Sequence, residues 1–232
     1  SGYRVILRRR ALARVFADFA PDLVEIGSPY VLPLLVPRAL GGRPAATVGF
    51  VHADYPDTYV APFLSRWPGL SDLGLGLARR HMGATYRGMT ATLAASAHVL
   101  AKLQRLGVRR LFHAPLGVEA ARFHPGRRDP AARARLGAAP GEALLLFLGR
   151  LSPEKGIDDL LAAYPALRDP GRLRLVIAGH GPREPAVAEF CRRYPEVVRA
   201  GPMDRDQVAE AMASADLFLA LGAHETFSLV TL

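Results

Sequence analysis

Cysteine is almost absent from this chain of 232 residues, which contains only Cys191. A single cysteine excludes an intramolecular disulfide and a cysteine-based zinc cluster, and it fits a reducing compartment such as the cytoplasm. Long apolar runs are also missing, since none approaches the roughly 18 residues that a membrane-spanning helix needs. Because 50% of the residues are apolar, the chain can still bury a substantial core. We therefore predict a folded cytoplasmic protein without a membrane span.

A secretion signal is lacking as well. The chain opens with Ser1-Gly2-Tyr3-Arg4, without an initiator methionine and without the apolar core of a leader peptide. The sequence also contains no internal repeat and no low-complexity tract, which argues against a solenoid. We expect the chain to be part of a longer protein.

Positive charge is in excess, with a formal net charge of +9. Arginine is dispersed over nearly every segment, so a general solvated surface explains most of this charge. The one dense stretch comprises Arg4, Arg8, Arg9, Arg10 and Arg14. At helical spacing these arginines indicate either a solvated helix face, which is the commoner case, or contact with anionic lipid headgroups. No aromatic-rich basic stripe accompanies them, so nucleic acid is not expected as a partner.

Short apolar runs alternate with longer amphipathic ones, which predicts the α/β class with parallel sheets and crossover helices. The predicted strands are 22–26, 47–51, 91–94, 110–113, 144–148, 173–178, 197–199 and 217–220. The predicted helices are 5–19, 73–87, 97–106, 131–136, 157–167, 185–194 and 205–214. The apolar run 31–36 also has the length of a buried strand. Each half of the chain thus forms its own βαβ series.

A stretch rich in proline and arginine, 118–141, shows little hydrophobic periodicity. We predict that it connects an N-terminal domain, 1–117, to a C-terminal domain, 142–232. Two doubly wound domains that face a cleft commonly bind a ligand at the carboxyl ends of their strands.

A cationic loop follows the strand predicted at 144–148. Gly149 and Arg150 come directly after that strand, and Lys155 shortly precedes the next predicted helix. A guanidinium forks onto phosphate oxygens, an ammonium adds a compact charge, and a helix start adds unpaired N–H groups. From spacing alone, the loop fits diphosphate binding and surface pairing with neighbouring carboxylates equally well.

Two glycines, Gly179 and Gly181, follow the strand predicted at 173–178. They permit a tight turn and a close approach of the backbone to a ligand. A Gly-x-Gly also opens ordinary nucleotide-binding folds, but no third glycine follows at the spacing of the dinucleotide fingerprint. NAD binding is therefore disfavoured.

A carboxylate, Glu225, follows the last predicted strand, 217–220. We expect it at the same sheet edge as Arg150 and Lys155, where it can accept hydrogen bonds from sugar hydroxyls. The alternative is that Glu225 caps a following helix. A carboxylate opposite two cations favours the diphosphate interpretation and hence a nucleotide-sugar ligand.

In the first half, His52 and Asp54 come directly after the strand predicted at 47–51. The imidazole can hydrogen-bond a sugar or a phosphate, and Asp54 can orient it or hold an acceptor hydroxyl. A histidine beside a strand is more often structural. His81 forms no metal-ligand spacing with His52, and the triplet 204–206 is better explained as helix capping, so no metal site is predicted.

The ordered set of motifs resembles the retaining GT-B glycosyltransferases of family 4, especially their bacterial α-mannosyltransferase-like branches. The likeness covers most of the chain. The matching segments are 21–25, 50–56, 115–118, 123–125, 149–156, 178–182, 215–217 and 224–227. Any one of them is weak evidence, whereas their order is specific. The implied fold is GT-B, with two Rossmann-like parallel-sheet domains facing a cleft.

The resemblance implies roles for individual residues. The family's diphosphate-binding Arg and Lys match Arg150 and Lys155, the Glu that contacts the donor sugar matches Glu225, and the His near the reacting sugar matches His52. The other positions implied to bind substrate are Asp54, Gly149, Gly181, Met203, Phe227, Ser228 and Leu229. Of these, Met203 belongs to the loop beside the nucleobase.

The resemblance also implies an activity. A hexose would pass from a nucleoside-diphosphate sugar to an acceptor hydroxyl with retention of configuration, without an obligatory metal or another cofactor. The His52 segment makes GDP-mannose the preferred donor, and the acceptor would be a lipid or a saccharide. Arg150 and Lys155 would stabilise charge on the departing diphosphate. Localisation would be cytoplasmic, with peripheral contact to the inner face of an anionic membrane.

The chain departs from the family pattern in several places. Ser228 stands where Gly is usual, and Ala53 replaces a small hydroxyl residue. The second Glu of the motif would fall just after Leu232, and a Gly-rich loop is expected ahead of Ser1. We therefore expect both domains to be truncated and the chain to be incomplete as a catalyst.

Two other functions remain open. An NAD-dependent nucleotide-sugar epimerase or dehydrogenase would require dinucleotide affinity and a Tyr-x-x-x-Lys pair, which the sequence lacks. A non-catalytic basic α/β binding module would show salt-sensitive binding that survives Arg150→Ala.

Overall fold

The computed structural model describes residues 8–169, 171–223 and 226–232. Contacts divide the chain into two units. The first consists of the residues up to Leu116 together with 226–227, and the second consists of 117–223 and 228–232. Each unit contains a four-stranded parallel sheet with helices between successive strands. The predicted α/β class is therefore confirmed.

The sheet of the first unit has the strand order β1-β2-β3-β4, and every pairing is parallel. Its strands are β1 Leu23–Ile26, β2 Ala46–Val51, β3 Ala91–Ala94 and β4 Leu111–His113. All four begin or end within one residue of the predicted bounds. Val51 pairs with Ala94, which in turn pairs with His113, so the carboxyl ends of three strands meet at one edge.

Five α-helices accompany this sheet in the described part of the first unit. They are α1 Arg9–Phe19, α2 Leu32–Leu40, α3 Ala61–Leu64, α4 Pro68–Arg87 and α5 Ala97–Arg105, with a π-helical turn at Pro56–Val60 before α3. The helices bury their apolar faces on the sheet around Met82, Leu103 and Val51, which are 0–1% exposed. The π-helical turn and α3 were not predicted.

The apolar run 31–36 does not form a strand but belongs to α2. Pro33 lies in the first turn of this helix, where a missing backbone N–H costs no hydrogen bond. The buried residues follow helical spacing and are Pro33, Val36, Ala39 and Leu40. The run has the length of a buried strand, but a short, wholly apolar run does not distinguish a helical period from a strand.

The sheet of the second unit has the order β7-β6-β5-β8 and is also parallel throughout. Its strands are β5 Ala143–Leu148, β6 Leu173–Ala178, β7 Val198–Gly201 and β8 Leu217–Phe218. The main helices are α6 Pro130–Arg135, α7 Ile157–Leu167, α8 Glu184–Arg193 and α9 Arg205–Ser214, and a 3-10 turn covers Pro153–Lys155. Strand β8 is two residues shorter than the predicted 217–220.

The central strands of this sheet are covered on both faces. Phe147, Leu175 and Ile177 pack into one apolar cluster with α7 and α8, whereas Leu146 and Val176 pack into the cluster on the opposite face. Strands buried on both faces read as continuous apolar runs, and their bounds could therefore be predicted from sequence.

The stretch 118–141, predicted as an interdomain connection, is grouped with the second unit and carries structure of its own. Asp129 caps α6 by accepting hydrogen bonds from the amides of Ala131 and Ala132 at 2.9 and 3.1 Å. Pro130 follows at the first helical position, where its fixed φ suits a helix start.

Asp216, just before β8, joins this stretch to the sheet. Its carboxylate accepts hydrogen bonds from the Leu144 amide at 2.8 Å, from Arg128 at 2.6 Å and from Arg133 at 2.9 Å. The hydrogen bond from the Leu144 amide, and next the hydrogen bond from Arg128, hold the pKa of Asp216 far below its usual range. A single carboxylate therefore fixes the edge strand and the chain that precedes α6.

Replacing Asp216 by alanine should lower the free energy of unfolding by about 2 kcal/mol at pH 7, because an amide and arginines lose their charged acceptor. Urea unfolding measures this loss. A group with a lowered folded pKa stabilises above its unfolded pKa of about 4, and this stabilisation is lost as the pH falls. The difference in the free energy of unfolding between wild type and variant should therefore become smaller from pH 7 to pH 3.

The matched control is Glu189→Ala, because Glu189 pairs with Arg192 on an exposed surface. Its effect should stay within about 0.5 kcal/mol. Equal losses in the two variants, or a gap for Asp216→Ala that is independent of pH, would contradict this role of Asp216.

No helix among the described residues combines the length and the apolar character that crossing a lipid bilayer requires.

Candidate functional site

The loops that follow β5 and β6 are hydrogen-bonded to each other at the carboxyl edge of the second sheet. The amide of Leu151 donates to the carbonyl of His180 at 3.0 Å, and the amide of Arg183 donates to the carbonyl of Leu151 at 2.9 Å. The Gly179 amide continues the network to the Gly201 carbonyl at 2.7 Å. Three successive strand ends are thus tied into one backbone framework.

This framework requires glycine at two of the predicted positions. A Cβ atom at Gly179, where φ is +127°, would lie 1.8 Å from the Gly149 carbonyl oxygen. A Cβ atom at Gly181 would lie 2.5 Å from the Leu151 carbonyl oxygen. Real Cβ atoms do not approach backbone so closely. The Gly-x-Gly pattern therefore has a packing cause, namely the contact between the two loops.

Arg150 lies on the β5 loop and is exposed. Among the described residues its guanidinium has no hydrogen-bond or ion-pair partner. The carboxylate of Asp158, one candidate for such a pair, instead accepts hydrogen bonds from Arg183 at 2.8 and 3.0 Å. Arg150 is thus a cation held on a fixed loop, with its five donors available to an anion.

Lys155 ends the 3-10 turn and is half-buried. The next residue, Gly156, has a φ of +73° and leads directly into α7. A Cβ atom at Gly156 would lie 2.6 Å from Leu221, so the loop that follows β8 packs against this turn. The turn places a lysine and the first N–H groups of a helix at the same sheet edge as Arg150.

The remaining positions predicted on the donor side lie in different places. Met203 follows β7 and packs partly buried against the core of the second unit. Ser228 and Leu229 belong to the last segment of that unit, whereas Phe227 is grouped with the first unit. Glu225 lies outside the described residues, so its contact with a donor sugar stays a prediction.

A cavity of about 530 Å³ in the second unit contains none of the residues of the β5 and β6 loops. Its lining is mainly apolar and comes from α9, from 117–125 and from 229–232. Leu229, predicted to contact the donor, lies in this lining.

Acidic residues form no metal-binding cluster of three or more in the described ranges. The Asp204 carboxylate caps α9, accepting hydrogen bonds from the amides of Asp206 and Gln207 at 3.0 and 2.9 Å. The capping interpretation of the triplet 204–206 is confirmed.

In the first unit, His52 immediately follows β2 and is exposed. Its ring stacks on Phe50 with a centroid distance of 4.5 Å and an interplanar angle of 23°. A Cβ atom at Gly27 would be 3.5 Å from the His52 ring, so the imidazole lies over the backbone that follows β1. The hydroxyl of Thr226 donates to the His52 carbonyl at 2.9 Å. The imidazole thus lies at the carboxyl edge of this sheet, in contact with Phe50 and over the backbone at Gly27.

Asp54 is buried and points away from solvent, with 8% of its surface exposed. One oxygen of its carboxylate pairs with the ammonium of Lys102, and the other oxygen is buried without a partner among the described residues. Lys102 also pairs with Asp57, whose other oxygen accepts a hydrogen bond from Arg79 at 2.9 Å. The hypothesis that Asp54 holds an acceptor hydroxyl stays a prediction.

Sequence reasoning missed Lys102 and Tyr55, the residue that follows Asp54. The Tyr55 hydroxyl donates to the Ala78 carbonyl at 2.9 Å and lies 2.7 Å from Nδ1 of His81. Burial, with help from Tyr30 and Asp54, raises the pKa of Tyr55 to about 12. A signal for Lys102 was present, because it falls on the buried face of α5 beside Val99 and Leu103.

Two family models match the chain. A model described as Glycosyltransferase Family 4 matches residues 1–122, and one described as Glycosyl transferases group 1 matches residues 142–232. The two matches cover the N-terminal and C-terminal sheets separately. They agree with the order of motifs along the sequence.

Curated relatives match nearly the whole chain. It is 33% identical over 235 residues to a GDP-mannose-dependent alpha-(1-6)-phosphatidylinositol dimannoside mannosyltransferase of Mycobacterium tuberculosis, covering 100% of this chain and 58% of that protein. It is 29% identical over 217 residues to a GDP-mannose-dependent alpha-mannosyltransferase of Corynebacterium glutamicum, covering 94% of this chain and 49% of that protein. The chain thus spans about half the length of the curated relatives it matches.

Solved structures share the fold at low identity. Sucrose-phosphate synthase from Thermosynechococcus elongatus aligns with a TM-score of 0.73 at 17% identity, over 96% of this chain and 55% of that chain. The Anabaena protein HepE in complex with UDP aligns with a TM-score of 0.71 at 17% identity, over 94% of this chain and 58% of that chain. This likeness concerns the fold and confirms the predicted GT-B class. Because the Family 4 model alone matches more than half of the residues, the chain belongs to glycosyltransferase family 4.

Proposed function

We propose that the protein transfers mannose from GDP-mannose to an acceptor hydroxyl. The observation that carries the proposal is the framework of the β5 and β6 loops, which holds Arg150 and Lys155 at the carboxyl edge of the second sheet. Ligands of open α/β sheets bind at this edge. The names of the relatives, which specify GDP-mannose, support the choice of donor.

The chemistry proposed for these residues is electrostatic. As the bond from the sugar to the diphosphate breaks, negative charge develops on the leaving phosphate oxygens. The planar guanidinium of Arg150 can hydrogen-bond two of these oxygens, and the ammonium of Lys155 adds a point charge. Groups that are already in place before the reaction stabilise such charge without reorganisation cost. Because these two cations supply the positive charge, we propose that donor binding is metal-independent.

The remaining features of the transfer are extrapolated from the resemblance. We propose retention of configuration and assign no protein nucleophile. His52, held above Gly27 with its ring exposed, is proposed to contact the reacting sugar. Glu225 is proposed to contact the donor sugar, and Met203 to lie beside the base.

For the acceptor we propose a lipid carrying a saccharide headgroup. The M. tuberculosis relative is named for phosphatidylinositol dimannoside, a glycolipid. We propose that the enzyme reaches such an acceptor at the cytoplasmic face of a membrane. The first surface that we propose for this contact consists of the exposed arginines at the start of α1, namely Arg8, Arg9, Arg10 and Arg14.

A second surface supports membrane contact. Five large apolar side chains along α3 and α4 are 49–65% exposed, namely Phe63, Trp67, Leu70, Leu73 and Leu77. The Phe63 and Trp67 rings contact each other with centroids 5.7 Å apart. Aromatic and leucine side chains that accompany basic residues are typical of helices that lie in the membrane interface.

Donor binding tests the proposal directly. GDP should bind this chain, and Arg150→Ala should weaken binding by roughly 10- to 100-fold, because hydrogen bonds to charged groups contribute about 1.5–3 kcal/mol. Isothermal titration of GDP, UDP and NAD in EDTA measures this selectivity and the independence from metal.

The matched control for donor binding is Arg192→Ala. Arg192 lies at the carboxyl-terminal end of α8, in the same unit, and it pairs with Glu189. This variant loses the same charge and should bind GDP as the wild type does. Preferential binding of NAD, or equal losses in both variants, would contradict the proposal.

Membrane contact has an internal probe, since Trp67 is the only tryptophan. With phosphatidylcholine vesicles containing phosphatidylglycerol, Trp67 emission should shift to shorter wavelength and be quenched by brominated lipid, because the indole leaves water. Leu70→Ser should weaken vesicle binding several-fold. Leu167→Ser, which changes an exposed leucine of the second unit, should not. Unchanged emission at saturating lipid would exclude this surface as the membrane contact.

A further inference from the structure

The chain uses arginine almost exclusively as its cation. It contains 28 arginines and only two lysines, Lys102 and Lys155. Lys155 lies in the proposed diphosphate-binding loop. Lys102 lies elsewhere, in α5 of the first unit, and it has no place in the proposed chemistry. A residue type that is rare throughout the chain and occurs at a buried position calls for a structural reason.

That reason is a buried cluster of charges joining three segments. The ammonium of Lys102 contacts the carboxylates of both Asp54 and Asp57. Asp54 lies in the loop after β2, and Asp57 lies in the π-helical turn. Arg79 reaches Asp57 from α4 at 2.9 Å. Lysine offers three donors on one small head group, which can serve both carboxylates at once.

The cluster is electrically balanced, with two cations and two carboxylates. Lys102 and Asp54 are each 8% exposed, so neither charge is well solvated. Burial alone would raise the pKa of Asp57, but the hydrogen bonds from Lys102 and Arg79 outweigh burial and lower it. A buried carboxylate that loses its partner strongly destabilises the folded protein. Lys102 is therefore needed for the loop to hold its two aspartates in place.

The same loop carries His52. Only Ala53 separates His52 from Asp54, so a shift of Asp54 is transmitted to the imidazole through a single residue. The imidazole ring itself stacks on Phe50 and lies over Gly27. The orientation of His52 thus depends on the ring contact on one side and on the anchored aspartates on the other.

We propose that Lys102 is a positioning residue, which fixes the loop from His52 to Asp57 by pairing with both of its aspartates. The effect of Lys102 on the orientation of His52 does not depend on the proposed function. The consequence for sugar transfer rests on the function proposed above. Lys102 itself does not touch a substrate and acts through the loop.

Other groups that face this cluster decide its response to pH. Arg79 approaches from α4, the Tyr55 ring lies beside Asp54, and Tyr55 in turn contacts His81 and Tyr30. In wild type the lowered pKa of Asp57 gives stabilisation that is present above the unfolded pKa and lost only in acid. Without Lys102, protonation of a carboxylate relieves the unpaired charge, so the variant should be relatively more stable at low pH.

The first experiment measures the melting temperature of Lys102→Met between pH 4.5 and pH 8. We expect a loss of roughly 10 °C at pH 7.5, which shrinks markedly toward pH 4.5. The triple variant Asp54→Asn, Asp57→Asn, Lys102→Met removes both charge types and should recover much of the loss. A loss that is independent of pH, or no loss at all, would overturn the proposal.

The second experiment distinguishes positioning from general stability. The imidazole ¹H–¹³C signal of His52, identified by comparison with His52→Gln, should move in Lys102→Met and return toward wild type in Lys102→Arg. The His124 and His180 signals in the second unit should stay unchanged. An unmoved His52 signal would show that Lys102 is only a structural residue. If Lys102→Met does not fold, the same comparison between Lys102→Arg, the triple variant and wild type applies.

The third experiment separates this inference from the proposed function. Amine-reactive acetylation, read by mass spectrometry, has only two lysine targets in this chain. Lys102 should be protected without nucleotide and become reactive in Asp54→Asn/Asp57→Asn. GDP should lower the reactivity of Lys155 alone. Lys102 protection without any GDP effect would support the positioning role and count against the proposed donor, whereas a freely reactive Lys102 would overturn the positioning role whatever GDP does.

Turnover provides the final readout in a preparation that transfers mannose. Lys102→Met should lower kcat by at least 10-fold with little change in the KM for donor, since the donor loops lie in the other unit. A change in KM alone would contradict positioning of His52 by Lys102.

Discussion

The close contact between the backbones of the β5 and β6 loops is the constraint on which the second unit depends. It leaves no room for a side chain at Gly179, where a Cβ atom would lie 1.8 Å from a carbonyl oxygen. In return, two loops that would otherwise move independently share hydrogen bonds through Leu151. The exposed Arg150 is held on this framework. A cation on a fixed backbone binds a diphosphate with less entropy loss than one on a mobile loop.

In the first unit, different interactions hold the loop that carries His52. Its loop after β2 is anchored by two carboxylates that share Lys102. Ring stacking on Phe50 completes the support of His52. Backbone packing tolerates almost no substitution at its glycines, whereas a charge cluster tolerates replacement of all its charges together but not of one alone. The two loops therefore differ in how mutations affect them.

Much of the fold could be predicted because fully buried parallel strands are continuous apolar runs. Strands β3 and β6 and helices α7 and α9 have the predicted bounds. The same rule is ambiguous for the run 31–36, because helix α2 is apolar and short enough to resemble a strand. Motif order also predicted Arg150 and Lys155 as diphosphate ligands, and both lie on the loop that follows β5. Sequence could not reveal that Asp54 faces Lys102, because residues 48 positions apart meet only through the packing of α5 on the sheet.

The central claim is that the loops after β5 and β6 bind a nucleoside diphosphate. A crystal structure of the chain grown with GDP-mannose tests it most directly. The account predicts diphosphate oxygens within hydrogen-bond distance of the Arg150 guanidinium and the Lys155 ammonium, with loop amides alongside. Nucleotide bound elsewhere, for example in the apolar cavity beside α9, would contradict it.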